Sequence, residues 1–170
     1  MIINNGSHLH RDLVRGFPIS TIISNIDVVQ IGLPAFGYYG NKDTKPGTPV
    51  MEIEAGSHED PASFARAITC SLALLQNLEM ISRDTDSLDG VVTEYREYQV
   101  FGSVVFPNDS YRVVRCFKDF ERVAAGTVFA KGNGAPLVAE RDCLTLFCPD
   151  ENRIPDWKLT QEEAMYLLDL

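Results

Sequence analysis

Two carboxylates and a glycine stand close together in one short segment, as Glu52, Glu54 and Gly56. The segment Val50 to Ala55 predicts a β-strand, in which Met51, Ile53 and Ala55 fall on one face. Both carboxylates fall on the other face, with Val50. A carboxylate at the carboxyl end of such a strand, followed by glycine and a helix, lies at the rim where α/β sheets bind substrates. Partial burial there would raise its pKa toward the range of a general base. Glu54 is therefore the candidate catalytic residue; the alternative is a solvated strand end.

The three histidines are the next candidates. His58 follows the strand, where it could orient a carboxylate or bind a metal, although a capping or surface role is the commoner one in a loop that leads into a helix. His8 and His10 are two residues apart, a spacing that places both on one side of a strand, as zinc sites can require. Their polar neighbours favour an exposed pair instead. The sequence contains no His-Glu-x-x-His and no His-x-x-Glu motif.

Other site types have little support in the sequence. There is no glycine-rich nucleotide-binding motif and no nucleophile elbow. Phe36, Tyr38 and Tyr39 could line a pocket, or they could fill the core. No Cys-x-x-Cys motif is present, which favours reduced, mostly buried thiols in a cytoplasmic protein over a zinc site or a disulfide. The cysteines are Cys70, Cys116, Cys143 and Cys148.

A helix follows the candidate strand. Asp60 is suited to cap its first turn, and Pro61 to occupy the first helical position, where its missing N–H has no consequence. Apolar residues then recur at steps of three and four, which predicts an amphipathic helix of about 20 residues. Such an apolar stripe normally faces the core of the protein. Its members are Phe64, Ala65, Ile68, Leu72, Leu75, Leu78 and Ile81.

The chain changes character after this helix. Residues 83–90 are charged and small, which predicts a linker between a first domain at 1–82 and a second at 91–170. The second domain has short β patterns separated by turns, which predicts a small all-β module. Within it, Pro107, Asn108 and Asp109 are typical of a hairpin turn between two strands. The sequence thus predicts an α/β fold followed by a β domain.

Composition excludes several classes of protein. The chain has 170 residues with 15 Lys and Arg against 24 Asp and Glu, a net charge of −9. A nucleic-acid-binding protein normally needs a basic face, and so does attraction to an anionic membrane surface. No apolar run approaches the length of a membrane-spanning helix. We therefore expect no nucleic-acid partner, no membrane association and, with no secretory signal visible at the N-terminus, a cytoplasmic location.

One segment adds a resemblance to a known family. Residues Met51–Pro61, MEIEAGSHEDP, resemble the strand and Glu-x-Gly element of the succinylglutamate desuccinylase/aspartoacylase family, which are zinc-dependent hydrolases with a carboxypeptidase-like fold. The segments after the linker look like the family's C-terminal β domain, with its Val-x-x-Gly turn at Val123–Gly126. The resemblance covers about residues 19–170. It implies part of a carboxypeptidase-like mixed sheet with a flanking helix, followed by a barrel-sandwich-like β domain.

The resemblance also implies a mechanism. In that family the matching glutamate, Glu54 here, takes a proton from a zinc-bound water that attacks an amide, and passes it to the leaving amine. The substrate would be a small N-acyl amino acid or a related amide. The family's zinc ligands are a His-x-x-Glu pair and a later histidine in its N-terminal part, which this sequence does not show. The chain therefore resembles a C-terminal portion, or fragment, and we expect Zn²⁺ in the complete enzyme rather than in this chain alone.

Three alternatives follow from the same observations. The chain could be part of a zinc-dependent deacylase, with Glu54 as the acid and base. It could be a non-catalytic binding or assembly module that retains the C-terminal half of the fold. Zinc could also be held by a rebuilt site of His8, His10 and His58. A sheet that lacks several strands exposes an apolar edge, so we expect a homo-oligomer or a complementary chain that covers the missing half.

Overall fold

The structure, a computed structural model, describes residues 2–4, 10–25, 51–82, 94–148 and 163–170. By their contacts, these residues divide into two compact units, one extending to Tyr98 and the other beginning at Gln99. The division falls within a strand, between Tyr98 and Gln99, and the predicted domains at 1–82 and 91–170 stay a prediction. Residues 83–90 lie outside the described residues, so the linker stays a prediction.

The first unit contains a small mixed sheet and a flanking helix. Its central strand pairs in parallel with one neighbour and antiparallel with the other, with Ile2 opposite both Ile22 and Ile53. A single turn of helix, α1 (His10–Leu13), follows the central strand. The predicted α/β class with a mixed sheet is confirmed. The strands are β1 (Ile2–Asn4), β2 (Thr21–Ser24) and β3 (Met51–Ile53), in the order β3-β1-β2.

The flanking helix α2 spans Pro61–Asn77 and begins as the sequence predicts. Asp60 is its N-cap, and Asp60 Oδ1 accepts a hydrogen bond from the Ala62 backbone N–H at 3.0 Å. At the other end, Glu79 has a φ of 58°, and Met80 N–H donates to the Leu75 carbonyl at 2.9 Å. This left-handed residue and the bond that spans it form a Schellman-type end, which stops the helix.

The face that α2 buries is not the predicted one. Phe64, Ile68 and Leu72 are exposed, and the buried residues are Ser63, Cys70, Ala73 and Gln76. About two and a half turns separate Phe64 from Ala73, so the two sets lie on opposite sides of the helix. Small side chains on the inner side let the helix backbone approach its neighbours closely. The prediction that the large apolar stripe faces the core is therefore wrong.

The core of the first unit is built around this inner face. Cys70 and Ala73 of α2 pack with Ile22 of β2 and with the segment between α1 and β2, while Met51 and Ile53 of β3 lie at its margin. Hydrogen bonds from polar side chains also tie this core to the segment before β2. Asn77 Nδ2 donates to the carbonyls of Leu13 and Arg15, and Tyr95 Oη donates to the Val14 carbonyl at 2.8 Å. The buried residues of the segment before β2 are Val14, Phe17 and Ile19.

The second unit is a β structure with two sheets and one apolar core. In the larger sheet, β10 (Glu163–Leu168) pairs antiparallel with β4 (Arg96–Val105) and with β9 (Cys143–Leu146). β9 also pairs with β6 (Arg122–Val123). In the smaller, β7 lies between β5 and β8. Buried side chains from both sheets form the core, including Val123, Phe129, Cys143 and Leu167. The strands are β4 (Arg96–Val105), β5 (Arg112–Val113), β6 (Arg122–Val123), β7 (Val128–Lys131), β8 (Leu137–Val138), β9 (Cys143–Leu146) and β10 (Glu163–Leu168).

The predicted hairpin at Pro107–Asp109 is wrong, although the turn itself is present. Asn108 Oδ1 accepts hydrogen bonds from both the N–H and the hydroxyl of Ser110, which reverses the chain. The strand beyond this turn, β5, pairs with β7 in the smaller sheet instead of returning along β4. Buried Tyr111 explains the change of partner, because its hydroxyl donates to the Ala135 carbonyl at 2.8 Å.

The barrel-sandwich architecture stays a prediction. The Val123–Gly126 turn, on which the resemblance to such a domain is based, is present in the structure. Gly126 has a φ of 83°, and Thr127 N–H donates to the Ala124 carbonyl at 3.1 Å. Among the strands that the structure describes, no ladder joins the two sheets into a closed barrel.

All four cysteines are free, with Cys70 and Cys143 buried and Cys116 and Cys148 partly buried. The helices in the described ranges are all too short or too polar to cross a membrane.

Candidate functional site

Glu54 lies directly after β3, at the end of the strand that leads toward α2. Its side chain is half-buried. The strand, a tight turn and the helix follow one another within a few residues, so Glu54 sits between the carboxyl end of β3 and the N-terminus of α2. Glu54 thus follows the strand, as the sequence predicted. Because β3 is antiparallel to β1, the carboxyl end of β3 lies at the edge of the sheet where β1 begins, and a binding rim at Glu54 stays a prediction.

Arg66 holds the turn after Glu54 in place. From α2, its Nη1 donates to the Ala55 carbonyl, and its Nη2 forms an ion pair with Asp60 Oδ2 at 2.7 Å. Gly56 has a φ of 123°, and a Cβ on it would lie 2.5 Å from Arg66 Nη1. Glycine suits this turn because its φ is strained for any other residue, and a Cβ would in addition require the Arg66 and Ser63 side chains to shift.

Sequence reasoning missed Arg66. The only signal available was that it is the one charged residue within α2, an otherwise uncharged helix. A single arginine in such a helix needs a partner, but the sequence does not show that the partners lie in the preceding turn.

Two carboxyl groups near the turn have pKa values shifted in opposite directions. Burial, and to a lesser extent the charge of Glu54, raises the pKa of Glu52. The backbone N–H of Ala62, and then the hydrogen bond from Arg66, lower the pKa of Asp60. Asp60 is therefore held ionised as cap and ion-pair partner, whereas Glu52 and Glu54 form a pair of like charges on one strand end. The raised pKa means that Glu52 takes up a proton at a higher pH than an ordinary glutamate.

The described residues do not fit the zinc that the family resemblance implies. Within them, no group of three or more His, Cys, Asp or Glu side chains could hold a metal ion. His58 is exposed, in the turn before α2. His8 lies outside the described residues, and His10 is described only in its backbone, within α1. The rebuilt site of three histidines thus stays a prediction, and Phe36, Tyr38 and Tyr39 also lie outside the described residues.

A cavity of about 510 Å³ lies in the second unit. Residues of β4 and β8 line it, together with Phe129, Leu167 and one carboxylate, Glu140. The sequence did not predict this cavity, because its walls come from strands that are far apart in the chain. None of its lining residues belongs to the segment around Glu54, so it is not part of the candidate site.

The chain thus consists of a mixed α/β unit, in which a carboxylate follows the end of a strand, and a β unit after it. No family model matches its sequence, and no curated protein matches it. Solved structures do match. A succinylglutamate desuccinylase from Vibrio cholerae is similar over 99% of this chain and 48% of its own, with a TM-score of 0.65 at 14% identity.

Two further structures agree. The corresponding protein from Vibrio parahaemolyticus is similar over 98% of this chain and 48% of its own, with a TM-score of 0.63 at 15% identity. A succinylglutamate desuccinylase/aspartoacylase from Rhodobacter sphaeroides is similar over 99% of this chain and 53% of its own, with a TM-score of 0.54 at 13% identity. The chain thus has the succinylglutamate desuccinylase/aspartoacylase fold, as the sequence resemblance predicted, and spans about half the length of these proteins.

Proposed function

We propose that this chain contributes Glu54 as the general acid and base of a deacylase, which removes an acyl group from a small N-acyl amino acid or a related amide. The observation that carries the proposal is the half-buried Glu54 at the carboxyl end of β3. Support comes from the fold, which the chain shares with structures named as succinylglutamate desuccinylases.

The chemistry assigned to this chain is proton transfer. A carboxylate oxygen of Glu54 accepts a proton from the water that attacks the amide carbonyl. The same oxygen then delivers that proton to the amine nitrogen as the C–N bond breaks. General acid–base catalysis of this kind contributes roughly 10²–10⁴-fold to a rate. The bond from Arg66 to the Ala55 carbonyl supports this role, because it fixes the backbone that follows the base.

The zinc of such an enzyme requires ligands from elsewhere. Because the described residues form no metal site, we place the ligands in the part of the fold that this chain does not span. A complementary polypeptide carrying that part could add strands beside β3, which is terminal in the order β3-β1-β2. A barrel-sandwich arrangement of the β unit and a cytoplasmic location belong to the same proposal.

The test compares Glu54→Gln with Glu52→Gln, its neighbour on the same strand face. Each variant is combined with the zinc-binding half of the fold, and release of primary amine from N-acyl amino acids is measured. We expect Glu54→Gln to lower kcat by about 10²–10⁴-fold, because glutamine cannot accept the proton. Glu52→Gln should stay within about tenfold of the unaltered chain, because Glu52 acts only through its charge. Equal activity of the two variants would exclude Glu54 as the base.

A second candidate function is a non-catalytic binding or assembly module. The exposed apolar side of α2 favours it, because large apolar patches at a surface mark interaction sites. The same assay separates the two functions. A module would release no amine from any N-acyl amino acid, even in the presence of the other half of the fold.

A further inference from the structure

Gly102 leaves open space inside the second unit. It lies within β4, two residues before Val104, whose side chain is buried in the core of that unit. Both residues pair with β10 in one continuous register, so they share a face of the strand, and Gly102 is directed toward the same interior. A Cβ on Gly102 would have no atom within 4 Å. A glycine of this kind inside a strand often marks a place where a ligand approaches closely.

The cavity of about 510 Å³ lies against this glycine. Its volume is within the range of about 300–1,000 Å³ that small-molecule sites occupy in proteins. Val104, Phe129 and Leu167 line it from the core, and all three are buried. A polar group placed against these side chains would lose its hydration without a hydrogen bond in return. The inner end of the cavity therefore suits the apolar part of a ligand.

The outer end of the cavity carries a carboxylate. Val138 and Glu140 line the cavity and are both exposed, which places its opening beside them. Glu140 is the one charged residue among the described residues of the lining. Within the described ranges its carboxylate has no ion pair, and the neighbouring Arg141 pairs instead with Asp169 at 2.5 Å. The Glu140 carboxylate is therefore accessible to a cation that enters from solvent.

We propose that this cavity binds an amphipathic amine, a small organic molecule with an apolar body and a positively charged amino group. The apolar body lies against Gly102 and the buried side chains of the core. The ammonium group binds the Glu140 carboxylate at the opening. The net charge of the chain, −9, also attracts a cation and repels an anion of the same shape.

The proposal is independent of the function assigned to Glu54. The described residues of the lining all belong to the second unit, whereas Glu54 belongs to the first. Binding of an amine in the cavity therefore needs neither the zinc-binding half of the fold nor a catalytic role for this chain, and it is measured on the full chain alone.

The test compares phenylbutylamine with phenylbutanol, an uncharged probe of similar shape, by NMR titration of the full chain at neutral pH. We expect the amine to bind about three- to tenfold more tightly than the alcohol, the range between an exposed ion pair and a charged hydrogen bond. Nuclear Overhauser effects from the phenyl ring to the methyl groups of Val104 and Leu167 should locate the apolar body in the cavity.

Two variants separate the two parts of the ligand. Glu140→Gln should weaken binding of the amine by about three- to tenfold and leave the alcohol unchanged, so that both probes bind equally. Gly102→Leu should weaken both probes by about tenfold or more, because its side chain takes the space of the apolar body. Asp109→Asn is the matched control for charge, since Asp109 is an exposed carboxylate outside the lining. It should leave both probes unchanged.

Urea unfolding shows whether Gly102→Leu stays folded, and if it does not, Glu140→Gln decides, because Glu140 is exposed. An unaltered chain that does not bind the amine overturns the proposal. Phenylbutanol or phenylbutyrate binding as tightly as the amine also overturns it, as does amine binding that Glu140→Gln does not weaken. Contacts of the phenyl ring with residues outside the cavity alone would place the amine at a different site and equally disprove the proposal.

Discussion

Arg66 reaches back from α2 to the carbonyl oxygen of Ala55, the residue that follows Glu54. The same guanidinium holds the N-cap carboxylate of Asp60 at 2.7 Å. One side chain thus joins the end of β3 to the beginning of α2. The position of the candidate base is therefore coupled to the helix.

Substitution of Gly56 by alanine should lower the free energy of unfolding by about 1–3 kcal/mol. Alanine is strained at a φ of 123°, and its Cβ would clash with Arg66 Nη1 and with Ser63 Oγ. Urea unfolding followed by circular dichroism measures the loss. Gly102→Ala is the control, because a Cβ there has no atom within 4 Å. A loss as large at Gly102 would show that the contacts around Gly56 are not the cause.

Asp60→Asn should reduce stability at neutral pH but not in acid. Asparagine keeps the N-cap hydrogen bond and loses only the negative charge beside Arg66. Because the pKa of Asp60 is lowered below its ordinary 3.8 in the folded state, the stability from its charge is present above that value. It is lost as the pH falls through the lowered folded pKa. Melting temperatures at several pH values should converge in acid; a constant difference contradicts the ion pair.

Thr145→Val should cost about 0.5–1.5 kcal/mol of the free energy of unfolding, the net contribution of one buried hydrogen bond. Thr145 is fully buried, and its Oγ1 donates to the Lys118 carbonyl at 2.8 Å. Valine fills the same volume but removes this hydrogen bond, so that the Lys118 carbonyl keeps only the bond from the Glu121 N–H at 3.1 Å. Thr69→Val is the control, because the Thr69 hydroxyl bonds at an exposed position to the Ala65 carbonyl, where water can replace it. Urea midpoints that shift equally in both variants would disprove this account.

Cys148 should react slowly with alkylating reagents in the folded chain. Burial raises its pKa from 9.0 to about 11, so the reactive thiolate is roughly 100-fold less abundant below pH 9 than for an unshifted thiol. Mass spectrometry of alkylated peptides should show the rate at Cys148 still rising above pH 9. In urea the same thiol should react at the rate of an ordinary cysteine. Rapid labelling at neutral pH in the native chain would contradict the shift.

The purified chain should retain little zinc after dialysis, because the described residues form no group of ligands. Elemental analysis measures this directly. One zinc per chain would instead support the site predicted from His8, His10 and His58. In that case a His58→Ala variant should lose the metal.

Sequence alone determined the local elements around the candidate site. Asp60 and Pro61 identified the start of α2, because capping and the first helical position depend on residues within one turn. The alternation that ends at Glu54 likewise located β3 and the carboxylate after it. These features are set by interactions between residues close in the chain, which the residue types express directly.

Only the tertiary structure decided which surfaces meet. The apolar spacing of α2 predicted that Phe64, Ile68 and Leu72 are buried, yet the helix packs through Cys70 and Ala73. Both sides of α2 are apolar enough to be buried, and the choice depends on how closely the helix can approach segments distant in sequence. For the same reason the sequence did not show that Arg66 meets Ala55, that β5 pairs with β7, or that strands far apart in the chain line a cavity in the second unit.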